Sequence, residues 1–145
     1  GEEAGQDTIV LDTNVLARAI AAEIDADAAT KAQRKRAQAL LSSGRQLFVP
    51  ITVIEELEWV LRGAYGMLPD EIAALFEDML AVENLTVDRV GAVSQAIAWY
   101  RRGLDFSDAL HLAQSGLCAG LATFDKQFSK AARRLDLKPP VSAPS

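Results

Sequence analysis

Short β-rich runs alternate with longer helical runs along almost the whole chain, and no other feature restricts the fold as strongly. "DTIVL" (7–11), "LFVP" (47–50), "LTV" (85–87) and "GLATF" (120–124) carry the branched and aromatic residues of strands, and each is closed by an Asp or a Pro. Helical composition fills the gaps over 15–24, 25–44, 52–66, 69–82, 88–102 and from about 105 to 117. Ala28, Ala32, Ala39 and Leu40 mark one side of the second helix, which Ser42-Ser43-Gly44 stops. Ile54, Leu57, Leu61 and Tyr65 mark the core side of the third. Pro69 suits a first helical turn, and Asp88 suits a cap. "AARRLDL" (131–137) is a short helical piece leading into an edge strand. Strands separated by helices are joined by crossovers, so they lie parallel in a sheet covered on both faces. Ligands of such sheets collect beyond the carboxyl ends of the strands.

The 145 residues suit one domain, expected over 8–137. Residues 1–7, acidic and without an initiator Met, are expected to be disordered or a cloning remnant. The Pro/Ser-rich 138–145 is expected to be a flexible tail. Half the residues are apolar and 24% are charged, as in an ordinary globule, and no apolar stretch approaches a membrane span. The N-terminus has none of the features of a signal peptide. A lone cysteine, Cys118, excludes an internal disulfide and fits a reducing, cytoplasmic location. Its surroundings, "GLCAGLATF", predict a buried, inert thiol.

The net charge of −5 argues against a nucleic-acid partner unless some acids gather around cations. Asp12 follows the first strand and Asp125 the fourth. Glu56 lies in the first turns after the second strand, and Asp105 and Asp108 open a later helix. These five acids equal the whole charge excess, since twenty minus five leaves the fifteen Lys and Arg. Like charges gathered at one rim must either protonate or bind a cation. An oxygen-only donor set, without a Cys or His cluster, suits Mg²⁺ or Mn²⁺. Such an open site suits phosphodiester cleavage, with metal-held water as nucleophile. Metal-free RNA cleavage usually needs histidines, and the chain has only His111. No Gly-rich phosphate loop and no G-x-S-x-G elbow is present.

"IVLDTNVLAR" (9–18), "EELEWVL" (55–61), "LDFSDALHLA" (104–113) and "LATFDKQF" (121–128) resemble, in order and spacing, the motifs of PIN-domain proteins, and more closely the VapC-type ribonuclease toxins. The resemblance spans roughly Thr8 to Leu137. It implies a three-layer α/β/α sandwich with a short parallel β-sheet. It also implies a Mg²⁺- or Mn²⁺-dependent endoribonuclease whose acidic quartet falls on Asp12, Glu56, Asp108 and Asp125. Proteins of this type are usually homodimers held inactive by a small antitoxin that enters the acidic groove.

Each residue also has a plainer use. Asp12 suits a helix N-cap, and Thr13 and Asn14 are either cap residues or supports, with Asn14 orienting Asp12. Periodicity alone does not choose between Glu55 and Glu56, which point about 100° apart; the motif selects Glu56. Glu58 is expected to be a solvated charge. Asp105 suits an N-cap with Asp108 at the capping-box position, so Asp105 is expected to be structural or supporting and Asp108 a ligand. Asp125 also suits a cap, and Thr123 either pairs with it, binds phosphate, or is an ordinary strand residue. His111 is expected to be a hydrogen-bonded packing residue. The run "KAQRKR" (31–36) is either a solvated helix face or, with Arg18, Arg101 and Arg102, a rail for the RNA backbone. Phe124, Phe128, Trp59 and Trp99 are expected in the core. Two other functions fit the same residues: a PIN-like nuclease of RNA processing or DNA cleavage without an antitoxin, and a non-catalytic binding module.

Overall fold

The computed structural model describes residues 7–21 and 27–145. It divides into two compact units, residues 1–90 and 91–145.

The first unit is built on three parallel strands in the order β1-β2-β3: β1 (Ile9–Val10), β2 (Leu47–Val49) and β3 (Leu85–Val87). Ile9 pairs with Leu47 and Leu47 with Leu85, so the three strands share one register. Helices α1 (Thr13–Ile20) and α2 (Ala28–Leu41) form the first crossover; α3 (Ile51–Gly63) and α4 (Pro69–Leu80) form the second. Leu47, Val49, Leu85 and Val87 are buried on the sheet, and Leu16, Ile54, Leu57, Leu61, Ile72 and Phe76 fill the space around it. Burying side chains of this size contributes about 1.5–3 kcal/mol each before the cost of chain ordering. Pro50 takes an extended conformation and ends β2 while starting α3. The Glu71 carboxylate accepts the Leu68 N–H at 2.9 Å and so fixes the start of α4.

Three details of this unit differ from the sequence reading. On α2, Ala37 is the buried residue, whereas Ala28, Ala32 and Ala39 face solvent. Alanine carries too little apolar surface to decide which face of a polar helix turns inward. Asp88 does not directly precede the next helix, because α5 (Val90–Arg101) begins after a turn in which Arg89 takes a φ of 50°. The ends of the first two helices that were expected over 22–26 lie outside the described residues, as do positions 1–6 of the N-terminal segment.

The second unit holds the rest of α5, α6 (Phe106–Ala113), β4 (Leu121–Ala122), α7 (Lys126–Arg134) and β5 (Val141–Ser142). Strands β4 and β5 pair in parallel, Leu121 with Val141. The tail from 138, expected to be flexible, therefore contributes a strand, and Val141 is buried. A two-residue strand gives too little pattern to recognise next to Pro139 and Pro140. Helix α6 ends at Ala113, four residues before the expected Leu117, and Leu117 and Cys118 are exposed. The expectation of a buried thiol is thereby corrected. The α/β class with short parallel strands holds in both units.

Gly103 takes a φ of 103° after α5. Its N–H donates to Tyr100 O at 3.0 Å, and the Leu104 N–H donates to Trp99 O at 3.2 Å, closing the helix in a Schellman arrangement. Leu104 is buried behind this turn, and Tyr100 meets Phe106 edge-to-face with ring centroids 5.1 Å apart. That turn delivers Asp105 to the start of α6.

Candidate active site

In the first unit, parallel pairing places the exits of β1 and β2 on one rim. Asp12 leaves β1 as the N-cap of α1, and its Oδ1 accepts the Thr13 N–H at 2.8 Å. The cap role and an exposed carboxylate at the rim coexist in this residue. Thr13 is buried, and its hydroxyl donates to Glu56 Oε1 on the second turn of α3, a contact between residues 43 apart. One threonine thus holds the carboxylates of both Asp12 and Glu56 by two different groups. Thr13 is the support; Asn14 is exposed and makes no hydrogen bond to Asp12 among the described residues.

Glu58 corrects the sequence reading. It is 4% exposed and accepts from Arg62 Nε at 2.8 Å, one helical turn further on. The spacing of four was visible in the sequence, but burial was not. Glu58 therefore belongs to the packing of α3, and Glu56 is the acid of this helix that faces the rim through Thr13.

In the second unit, Asp105 is the N-cap of α6, its Oδ2 accepting the Asp108 N–H at 3.1 Å. Asp108 is partly buried, and its carboxyl is pushed up to about 6, first by loss of water and then by the charges of Asp105 and Asp125; His111 acts in the opposite direction. The Asp108 carboxyl accepts no hydrogen bond among the described residues, so no donor offsets that penalty. His111 is exposed, not packed, and acts on Asp108 one turn away; the i,i+3 spacing was the available signal.

Asp125 is the N-cap of α7, with Oδ1 accepting from Phe128 N at 3.1 Å. Of the three alternatives for Thr123, pairing holds: its Oγ1 accepts the Asp125 N–H at 3.0 Å, while its own N–H donates to Ser142 O on β5. The tail strand thus helps to fix the loop that carries Asp125. Phe128 is buried as expected and Trp99 is half-buried, but Phe124 is 81% exposed beside Asp125 and Trp59 is 67% exposed on α3. Both exposures overturn the expected core positions.

Each unit therefore gathers its own share of the expected acids: Asp12 and Glu56 around Thr13, and Asp108 in the field of Asp105 and Asp125. The family model described as PIN domain matches residues 9–134. The chain belongs to the PIN domain family. No curated protein matches its sequence at the threshold for a relative.

PIN domains are generally nucleases, which makes a hydrolase the broad class of this chain, and they usually use divalent metal ions. The donors in this PIN domain fit such an ion in kind, because carboxylate oxygens are hard ligands suited to Mg²⁺ and Mn²⁺. The like-charge stress on Asp108 is of the sort a cation relieves. Within neither unit do three acidic, His or Cys side chains among the described residues stand as one preformed ligand group. No helix among those residues is long and apolar enough to cross a membrane.

Proposed function

We propose that this PIN domain is a Mg²⁺- or Mn²⁺-dependent endoribonuclease, the cytoplasmic toxin of a type II toxin–antitoxin pair. In this reading the carboxylates of Asp12, Glu56, Asp108 and Asp125 hold the metal. Thr13 keeps Asp12 and Glu56 in place; Asp105 and Thr123 fix the backbones that carry Asp108 and Asp125. A bound ion supplies activated water and offsets negative charge on the phosphodiester. The observation that carries the reading is the buried Thr13, whose two hydrogen bonds tie the first acid to an acid on another helix. The raised Asp108 carboxyl supports it, since its stress disappears only on protonation or cation binding.

The assay is cleavage of single-stranded RNA with Mn²⁺, alongside calorimetric Mn²⁺ titration. Asp12→Asn and Asp108→Asn are each expected to lose more than about a hundredfold in rate and to weaken Mn²⁺ binding, with 5′-phosphate on the wild-type products. Full activity in either variant, or none in the wild type, would remove the assignment.

The partners in this reading are a small antitoxin, whose segment covers the acids, and a second copy of the chain. The exposed Trp59 and Leu68 in the α3–α4 stretch support a homodimer face there. Sedimentation of Trp59→Arg tests it: a monomer supports the face, and an unchanged dimer rejects it.

A further inference from the structure

A groove between α1 and α2, apart from the acidic set, encloses about 600 Å³, within the roughly 300–1,000 Å³ range of small-ligand sites. Asn14, Arg18, Gln33 and Arg36 supply its polar lining, and Ala37 and Leu40 an apolar floor. No Asp or Glu is among the described lining residues. In a chain of net charge −5, that described lining carries two positive charges.

Its two guanidinium groups differ. Arg18 is held in place: Nε donates to Gln33 Oε1 at 3.2 Å and Nη1 to the Tyr65 hydroxyl at 2.8 Å. The charge of Asp27 at the start of α2 also reaches it. Arg36 is exposed and makes no hydrogen bond or ion pair among the described residues, which leaves its fork of donors available. Helical geometry separates Arg36 from the rest of the basic run. It shares the groove side with Gln33, Ala37 and Leu40, whereas Lys31 and Lys35 point about 100° or more away. Of the four cations of the run, Arg36 is the one among the described lining residues. Asn14 follows Asp12 by two positions, so the groove reaches the first turn of α1, the helix that Asp12 caps.

We infer that this groove is a subsite for the backbone of single-stranded RNA next to the bond being cut, with Arg18 and Arg36 binding one phosphate and the floor receiving the adjoining sugar or base. Planar guanidinium forks match phosphate oxygens in pairs. The inference rests on the nuclease reading for its ligand. An acidic peptide offers the same charge, but RNA is favoured by the placement of Asn14 in the first turn of the helix that Asp12 caps.

The test is binding of a labelled single-stranded RNA oligonucleotide in EDTA, where nothing is cleaved, across a range of KCl concentrations. Arg36→Ala is expected to weaken binding roughly tenfold. It should also flatten the slope of log K against log salt by about 0.7, the value for one lost single-strand phosphate contact. The loss should be uniform over oligonucleotide sequences, because phosphate contacts carry no base information. Arg36→Lys should recover the slope and part of the affinity. Arg45→Ala, an exposed charge before β2 and so at the opposite end of the strand, is the matched control and should change neither. In the cleavage assay Arg36→Ala should raise KM with little change in kcat.

Equal effects of Arg36→Ala and Arg45→Ala, or no RNA binding by the wild type, would overturn the subsite. Loss of RNA binding in Arg36→Ala with no cleavage by any variant would keep the subsite and remove the nuclease reading. RNA binding untouched by Arg36→Ala, with an acidic peptide displaced by it, would assign the groove to a protein partner.

Discussion

The two units treat their acids in opposite ways. In the first, carboxylates are matched by donors of their own unit: Asp12 by the Thr13 N–H, Glu56 by the Thr13 hydroxyl, and Glu58 by Arg62. In the second, Asp105 and Asp125 serve helix ends, while Asp108 sits partly buried between like charges without a donor for its carboxyl among the described residues. A matched carboxylate is a rigid ligand whose geometry is set before an ion arrives. A mismatched one stores unfavourable charge that a proton or a cation must relieve. The first unit thus offers a fixed pair of carboxylates and the second a responsive one.

Thr13→Val breaks the fixed pair and, after the loss of an acid itself, carries the largest expected effect. It removes the bond to Glu56 from a buried position. Stability should fall by about 1–3 kcal/mol, and cleavage by roughly 10- to 100-fold. Thr13→Ser should restore most of both. Denaturant unfolding together with the RNA assay measures the pair. A Thr13→Val protein as active as the wild type would show that Glu56 needs no anchor.

The responsive carboxylate is sharpened by pH. With its carboxyl raised to about 6 in the folded chain against an ordinary 3.8, Asp108 keeps a proton between pH 4 and 6 that the unfolded chain has released. Its contribution is fully present below about pH 4 and is lost as pH rises through 6. The metal-free protein should therefore lose about 1 kcal/mol over that window, after discounting for solvent screening at a partly exposed group. Asp108→Asn should flatten the curve, and Mn²⁺ should abolish the loss in the wild type. Thermal melts from pH 4 to 7 provide the measurement; a wild-type curve that rises over this window would refute the assigned stress.

The smallest effect is expected at Phe124. Despite its size, its exposure predicts that Phe124→Ala changes stability by less than about 0.5 kcal/mol. A loss of several kcal/mol would mean that another surface covers this ring.

Much of this was legible in the residues because it is local. Three of the predicted acids act as N-caps where Asp precedes a helix: Asp12, Asp105 and Asp125. Capping joins groups one to three residues apart, so spacing alone reveals it. The parallel strands of the first unit were also legible, since crossovers follow from alternation. Two-residue β5 was not, because two residues show no period.

From its sequence alone, this chain declared its family, its α/β class and the acids at its strand and helix ends. The tertiary structure decided that Thr13 is the anchor of Glu56, that a buried Glu58 pairs with an exposed Arg62, and that Phe124 and Cys118 face outward. It also decided that, of the charges in the basic run, Arg36 is the one among the described lining residues of a groove. The reason is range: propensity and capping act over a single turn, whereas burial and the Thr13–Glu56 bond join segments that only packing brings together.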